Sequence, residues 1–128
     1  MKINHLIVGS SDVEKSTAFY CDLFEFKKVS DDPGAKGGQV LHGTESDLLI
    51  LPFTNHLPNP AHFAFEVEDI DKFKKIFAHA EQMGLEPRTE SARDSKRGFG
   101  EFKRAGRTFL NFYVSDPSGS IVELMVFI

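Results

Sequence analysis

Apolar and polar positions alternate, then step at helical spacing, then alternate again, and this order runs along the chain twice. Residues 3–9 (Ile-Asn-His-Leu-Ile-Val-Gly) predict a strand, being rich in β-branched and apolar side chains. Ser10-Ser11-Asp12 is a helix-cap cluster, with Glu14 and Lys15 in the first turn. Short polar side chains there accept from the free N–H groups that open a helix. Val13, Phe19 or Tyr20, Leu23 and Phe24 supply an apolar helical face to about residue 24. Strand-like runs follow at 25–30, 38–43 and 47–53, with turns at 31–34 and 43–47. Residues 55–60 are a linker by composition. Beyond it the order returns. Residues 61–67 predict a strand, and Ile70, Phe73, Ile76, Phe77 and Ala80 step along a helix that Gly84 closes. Further strands are expected at 85–91, 108–114 and 120–127.

The two halves superpose as sequences. His5-Leu6-Ile7-Val8 followed by Asp12-Val13 matches His62-Phe63-Ala64-Phe65 followed by Asp69-Ile70, at an offset of 57 residues. A strand–helix–three-strand unit exposes one apolar sheet face and must bury it against its copy or a second chain. The expected fold is α+β: a single domain of two βαβββ modules, 1–54 and 61–128, forming a curved, barrel-like mixed sheet. Its concave inner face, a cup, is the natural place for a site.

Composition narrows the class. The chain has 128 residues, 41% hydrophobic and 27% charged, as in ordinary globular proteins. No stretch approaches the ~18 consecutive apolar residues of a membrane span, and the first residues lack the apolar core of a signal peptide. The lone cysteine, Cys21, excludes an intrachain disulfide and makes the cytoplasm the expected compartment. A net charge of -4 gives no reason to expect nucleic acid. The segment 88–107 nevertheless holds seven basic against three acidic residues. Such a segment can meet an anionic small molecule, or simply face water. Within it Arg93, Lys96 and Arg97, flanked by glycine, are the candidate substrate-binding cations of a mobile lid.

The candidate chemistry lies in the repeat. His5 and His62 occupy equivalent strand positions. Glu123 interrupts an otherwise apolar final strand, where an unpaired buried carboxylate would cost several kcal/mol. A metal ion is one partner that also uses two neutral imidazoles. Pairing with Arg or Lys, or an outward orientation, are the alternatives. Two histidines and one carboxylate suit Fe(II) or catalytic Zn²⁺. Tyr113 is a candidate hydrogen-bond donor or acid at the site, or a core tyrosine.

On these residues the chain resembles the vicinal oxygen chelate superfamily, which includes glyoxalase I, extradiol dioxygenases, fosfomycin-resistance thiol transferases and bleomycin-resistance proteins. The resemblance spans essentially the whole chain. It rests on His5, on Ser11-Asp12 with Phe19-Tyr20, on His62, and most specifically on residues 113–123, where an Asp-Pro-x-Gly turn precedes Glu123 by four residues. The resemblance implies one divalent ion (Fe, Mn, Ni or Zn) held by His5, His62 and Glu123. It also implies a role for Glu123 at the reaction centre, a small oxygenated substrate and a homodimer; Tyr113 is the second catalytic candidate, and the basic segment adds the expectation of an anionic substrate. The fourth ligand position of glyoxalase I is expected at Ile50, which cannot ligate. The additional histidine of extradiol enzymes has no counterpart in 104–109. These departures lead away from standard glyoxalase I and from ring cleavage; the expectation is a glyoxalase- or dioxygenase-type metal enzyme in the broad sense, a lyase or isomerase, a dioxygenase or a thiol transferase. A metal-free antibiotic-binding protein of the same fold is the alternative.

Overall fold

A computed structural model describes residues 5–31, 37–53, 61–92, 94–104 and 106–128. Its contacts divide the chain into two units, Met1–Ala61 with Asp116–Ser120, and His62–Ser115 with Ile121–Ile128.

The first unit carries β1 (His5–Ser10), α1 (Val13–Phe24), β2 (Lys27–Asp31), β3 (Gln39–His42) and β4 (Asp47–Pro52). Its sheet has the order β1-β4-β3-β2, with β1 parallel to β4. Asp12 caps α1, its side chain accepting from Lys15 N at 3.1 Å. The helix buries Phe19, Tyr20 and Leu23 with Val8, Leu41, Leu48 and Ile50 from the strands. Each such side chain removed from water contributes roughly 1.5–3 kcal/mol.

The second unit repeats the plan with β5 (His62–Glu66), α2 (Ile70–Gln82), β6 (Gly100–Arg104), β7 (Arg107–Ser115) and β8 (Ile121–Phe127). The order is β5-β8-β7-β6, with β5 parallel to β8. Asp69 caps α2 as Asp12 caps α1, accepting from Lys72 N at 2.7 Å. Phe73, Ile76 and Ala80 form the buried stripe of the helix. Phe73 and Phe77 each meet Phe112 edge-on, both at 5.4 Å between ring centres. Among the described residues the hydrogen bonding makes two four-stranded mixed sheets.

Two expectations are corrected. Residues 85–91 are not a strand. Glu86 has a positive φ of 53°, Pro87 lacks an N–H, and only Arg88 makes isolated bridges, to Arg97 and Tyr113. The strand beside β7 is β6, inside the basic segment. It is an edge strand whose charged residues at 101, 103 and 104 are exposed, so it carries no apolar alternation to read. The second correction concerns register. His5 pairs with Asp47 and His62 with Ile121, which makes Leu49, not Ile50, the counterpart of Glu123. Ile50 is fully buried in the first unit's core. A one-residue slip moves a strand residue to the opposite face. The expectation of an aliphatic residue at that place stands.

The Asp-Pro-x-Gly segment is a turn that locks itself. Asp116 Oδ1 accepts from Ser118 N at 2.9 Å and Ser120 N at 2.8 Å, while Oδ2 accepts from the Tyr20 hydroxyl at 2.8 Å. Gly119 has φ 91°, a conformation that side chains with a Cβ adopt at a cost. Ser118 Oγ lies 3.0 Å from Ser11 N, which donates to it. The turn thereby belongs by contact to the first unit although the strands on either side belong to the second.

Candidate metal centre

The second unit assembles a polar cluster on one face of its sheet. Register sets it: Glu123 pairs with Ala64 on one side and Tyr113 on the other, and Asn111 lies two residues from Tyr113. Side chains two apart on a strand share a face. Glu123 is 7% exposed and Asn111 3%. Asn111 Nδ2 donates to Glu123 Oε1 at 2.6 Å and to the Tyr113 hydroxyl oxygen at 3.2 Å. Glu123 Oε2 faces His62 Nε2 at 3.9 Å. The His62 and Tyr113 rings meet edge to face, 5.7 Å between centres. Burial, and then the charge and hydrogen bond of Glu123, push the Tyr113 hydroxyl above its ordinary range, against the Asn111 bond and the Arg104 charge. Tyr113 is therefore an O–H donor at neutral pH.

The donor set fits a divalent cation. At 3.9 Å, Oε2 and Nε2 are too far apart for a hydrogen bond. Neighbouring donors on an ion with bonds of about 2.0–2.2 Å stand roughly 3–3.5 Å apart, a separation small side-chain rotations reach. Glu123 is a nearly buried carboxylate with one oxygen turned toward an imidazole, an arrangement a cation would complete. Among the described residues no three His, Cys, Asp or Glu side chains gather tightly enough to make a site outright.

The sequence-derived residues thus divide. His62, Tyr113 and Glu123 come together in the second unit. His5 opens β1 in the first unit, where it pairs in register with Asp47, whose Oδ1 is 2.6 Å from His42 Nδ1. That His42–Asp47 pair depends on strand register and has no sequence signature. Arg93 lies outside the described residues. Arg97 is mostly exposed and paired to Glu86. Lys96 is exposed, and its carbonyl accepts from Thr89 N at 2.8 Å. Arg88 reaches the Ser95 carbonyl at 2.7 Å and Gly98 N donates to the Pro87 carbonyl at 2.9 Å, so the excursion is tied across its base. Depressions of about 50 and 130 Å³ flank it; Tyr113 lines the first, but His62, Asn111 and Glu123 line neither.

Register brings a different cation to the site's face. Arg104, across from Arg107, lies on the side of β6–β7 that carries Phe109, Asn111 and Tyr113. Its guanidinium is 5.3 Å from the Phe109 ring centre and 3.8 Å from Met125 Sδ. Among the described residues it has no carboxylate partner. Arg104 and Asn111 are the functional candidates that sequence reasoning missed. Arg104 sits in what reads as a loop, and Asn111 in what reads as core.

The fold and this cluster define a protein built from paired βαβββ units with a histidine–carboxylate pair on a sheet face. The sequence profile described as Glyoxalase/Bleomycin resistance protein/Dioxygenase superfamily matches residues 2–124, and the chain belongs to that superfamily. A comparison with curated proteins gives no significant match. Solved structures share the fold. One is the oxidase ChaP-H2, 22% identical with a TM-score of 0.73, covering 98% of this chain and 93% of its own. Another is the lactoylglutathione lyase from Agrobacterium tumefaciens, 18% identical with a TM-score of 0.67, covering 98% and 92%. A glyoxalase family protein from Bacillus anthracis is 26% identical with a TM-score of 0.70, covering 100% and 96%. No described helix is long and apolar enough to cross a membrane.

Proposed function

We propose that this chain is a metal-dependent enzyme of its superfamily that activates a small oxygenated substrate chelated to one divalent ion. His62 and Glu123 are ligands, and the sequence repeat nominates His5 as the third. The observation that carries the reading is the Glu123 carboxylate: nearly buried, one oxygen held by Asn111, the other turned to His62. When bound, the ion supplies Lewis acidity that stabilises negative charge developing on substrate oxygen. Tyr113, kept protonated, donates its O–H to a substrate oxygen beside Glu123. Arg104 holds an anionic substituent, with Phe109 and Met125 as the apolar floor beneath it. Relatives include an oxidase and a lyase, and a chelated, polarised substrate is the step we propose for this chain.

The test is metal content. Purified protein equilibrated with Mn²⁺, Fe²⁺, Ni²⁺ or Zn²⁺ should hold close to one ion per chain. His62→Ala and Glu123→Gln should each weaken binding by at least ~100-fold, since each removes a ligand. His5→Ala tests the third ligand in the same titration. Binding of none of these ions would reject the enzyme reading. The same aromatic and arginine-lined face would then support a metal-free small-molecule binding protein. We also propose a homodimer, which sedimentation equilibrium reads as twice the chain mass; the mass of one chain would exclude it.

A further inference from the structure

We infer that Asn111 is the positioning residue of this centre: its amide holds one oxygen of Glu123, so that the carboxylate meets the cation through the other oxygen alone. This inference rests on the metal reading above and adds to it the mode in which Glu123 binds.

The geometry comes first. Asn111 sits on β7 with 3% exposure, and its Nδ2 group has two acceptors, Glu123 Oε1 at 2.6 Å and the Tyr113 oxygen at 3.2 Å. A carboxylate with both oxygens free can chelate an ion and occupy two of its positions. One whose Oε1 is held at 2.6 Å presents only Oε2, the oxygen that faces His62 Nε2. A substrate that chelates through two oxygens needs two vacant neighbouring positions, so one-oxygen ligation by Glu123 keeps room for it. The same amide sets Tyr113. Because the phenol oxygen accepts from Nδ2, its own O–H is turned away from Asn111.

The orientation of the amide is dictated by its neighbours. Reversing it would set the carbonyl oxygen 2.6 Å from a carboxylate oxygen, two acceptors in contact. With Nδ2 toward Glu123, Oδ1 is left buried with no hydrogen-bond donor among the described residues. An orphaned buried acceptor is a cost to the fold. Leucine has nearly the same volume and no polar atom, and asparagine is disfavoured in strands. Against these costs stands the charge-assisted hydrogen bond that Nδ2 gives the nearly buried Glu123 carboxylate. What Asn111 supplies is the hold on Glu123 and Tyr113.

The variant is read on the fold and on the site separately. Asn111→Leu removes the orphaned acceptor but also the donor to a nearly buried carboxylate, so the thermal midpoint of the metal-free protein should fall. The same variant should weaken Mn²⁺ affinity by about 10–100-fold, the usual effect of losing an outer hydrogen bond to a ligand. Metal-induced infrared difference spectra read the ligation mode directly. The separation of the two carboxylate stretching bands should be wide in the wild type, as for one-oxygen ligation, and should narrow in Asn111→Leu. Glu123→Gln identifies the bands by abolishing them. Asn111→Val, which suits a strand, repeats the measurement if leucine disturbs packing. Unchanged Mn²⁺ affinity and band separation in both Asn111 variants would overturn the inference while leaving the metal reading intact. Wild-type affinity in Glu123→Gln would instead overturn the metal reading, and the inference with it.

Discussion

Tyr20 shows how a single residue serves the fold from inside a signature that reads as functional. Its ring is fully buried and its hydroxyl donates to Asp116, so it couples helix α1 to the 116–120 turn within the first unit. Tyr20→Phe should cost about 2 kcal/mol in chemical denaturation, the scale of a hydrogen bond to a charged group. Burial first, and then the charge and hydrogen bond of Asp116, raise the Tyr20 hydroxyl well above its ordinary 10.0. A raised folded value means the unfolded chain ionises first. The stability due to Tyr20 is complete below about pH 10, where the unfolded tyrosine is still protonated, and declines as pH climbs toward the folded value. The stability gap between wild type and Tyr20→Phe should stay constant from pH 7 to 9 and shrink above about 10. A gap that widened there would contradict the assignment. At this scale the sequence was informative about residue type and silent about partner. Glu123 was legible as an acid in an apolar strand. Asn111 was not, because its role lies in two hydrogen bonds that depend on strand alternation and cross-strand register.

At the scale of elements, the helices were readable and one strand was not. Both helices begin at an aspartate seven residues after a histidine and present buried residues at helical spacing, so cap and stripe agree. Strand β6 escaped because an edge strand with exposed charged residues looks like a solvated loop, while 85–91 was expected as a strand because the repeat calls for one after the second helix. What joins β6 to the rest is its antiparallel ladder with β7, from Gly100 opposite Asn111 to Arg104 opposite Arg107. The packing of α2 on its sheet concentrates on Phe112, fully buried between Phe73 and Phe77. Phe112→Ala should destabilise by about 3–5 kcal/mol through lost burial and the cavity left behind. That is a large share of the roughly 5–15 kcal/mol available to a domain. Thermal unfolding would show it, and a loss below ~1 kcal/mol would mean the helix docks elsewhere.

For the whole molecule, metal binding and folding should be linked. An ion that binds only the native state at a hundred times its Kd adds about 2.7 kcal/mol. The thermal midpoint should therefore rise with added Mn²⁺ in the wild type and stay level in Glu123→Gln. Equal shifts in both would place the ion away from Glu123. By itself the sequence determined the repeat, the two capped helices, the superfamily and the residue types of the metal reading, because periodicity, caps and spacing are local and survive in one dimension. Tertiary structure alone decided that β6 lies in the basic segment, that Leu49 rather than Ile50 is the first unit's counterpart of Glu123, that Asn111 grips the carboxylate and that Arg104 lies on the sheet face of that cluster. Those facts depend on which strand pairs with which and in what register. Backbone hydrogen bonds between residues far apart in the chain set that pairing, and one residue of slip turns a side chain from one face of a sheet to the other.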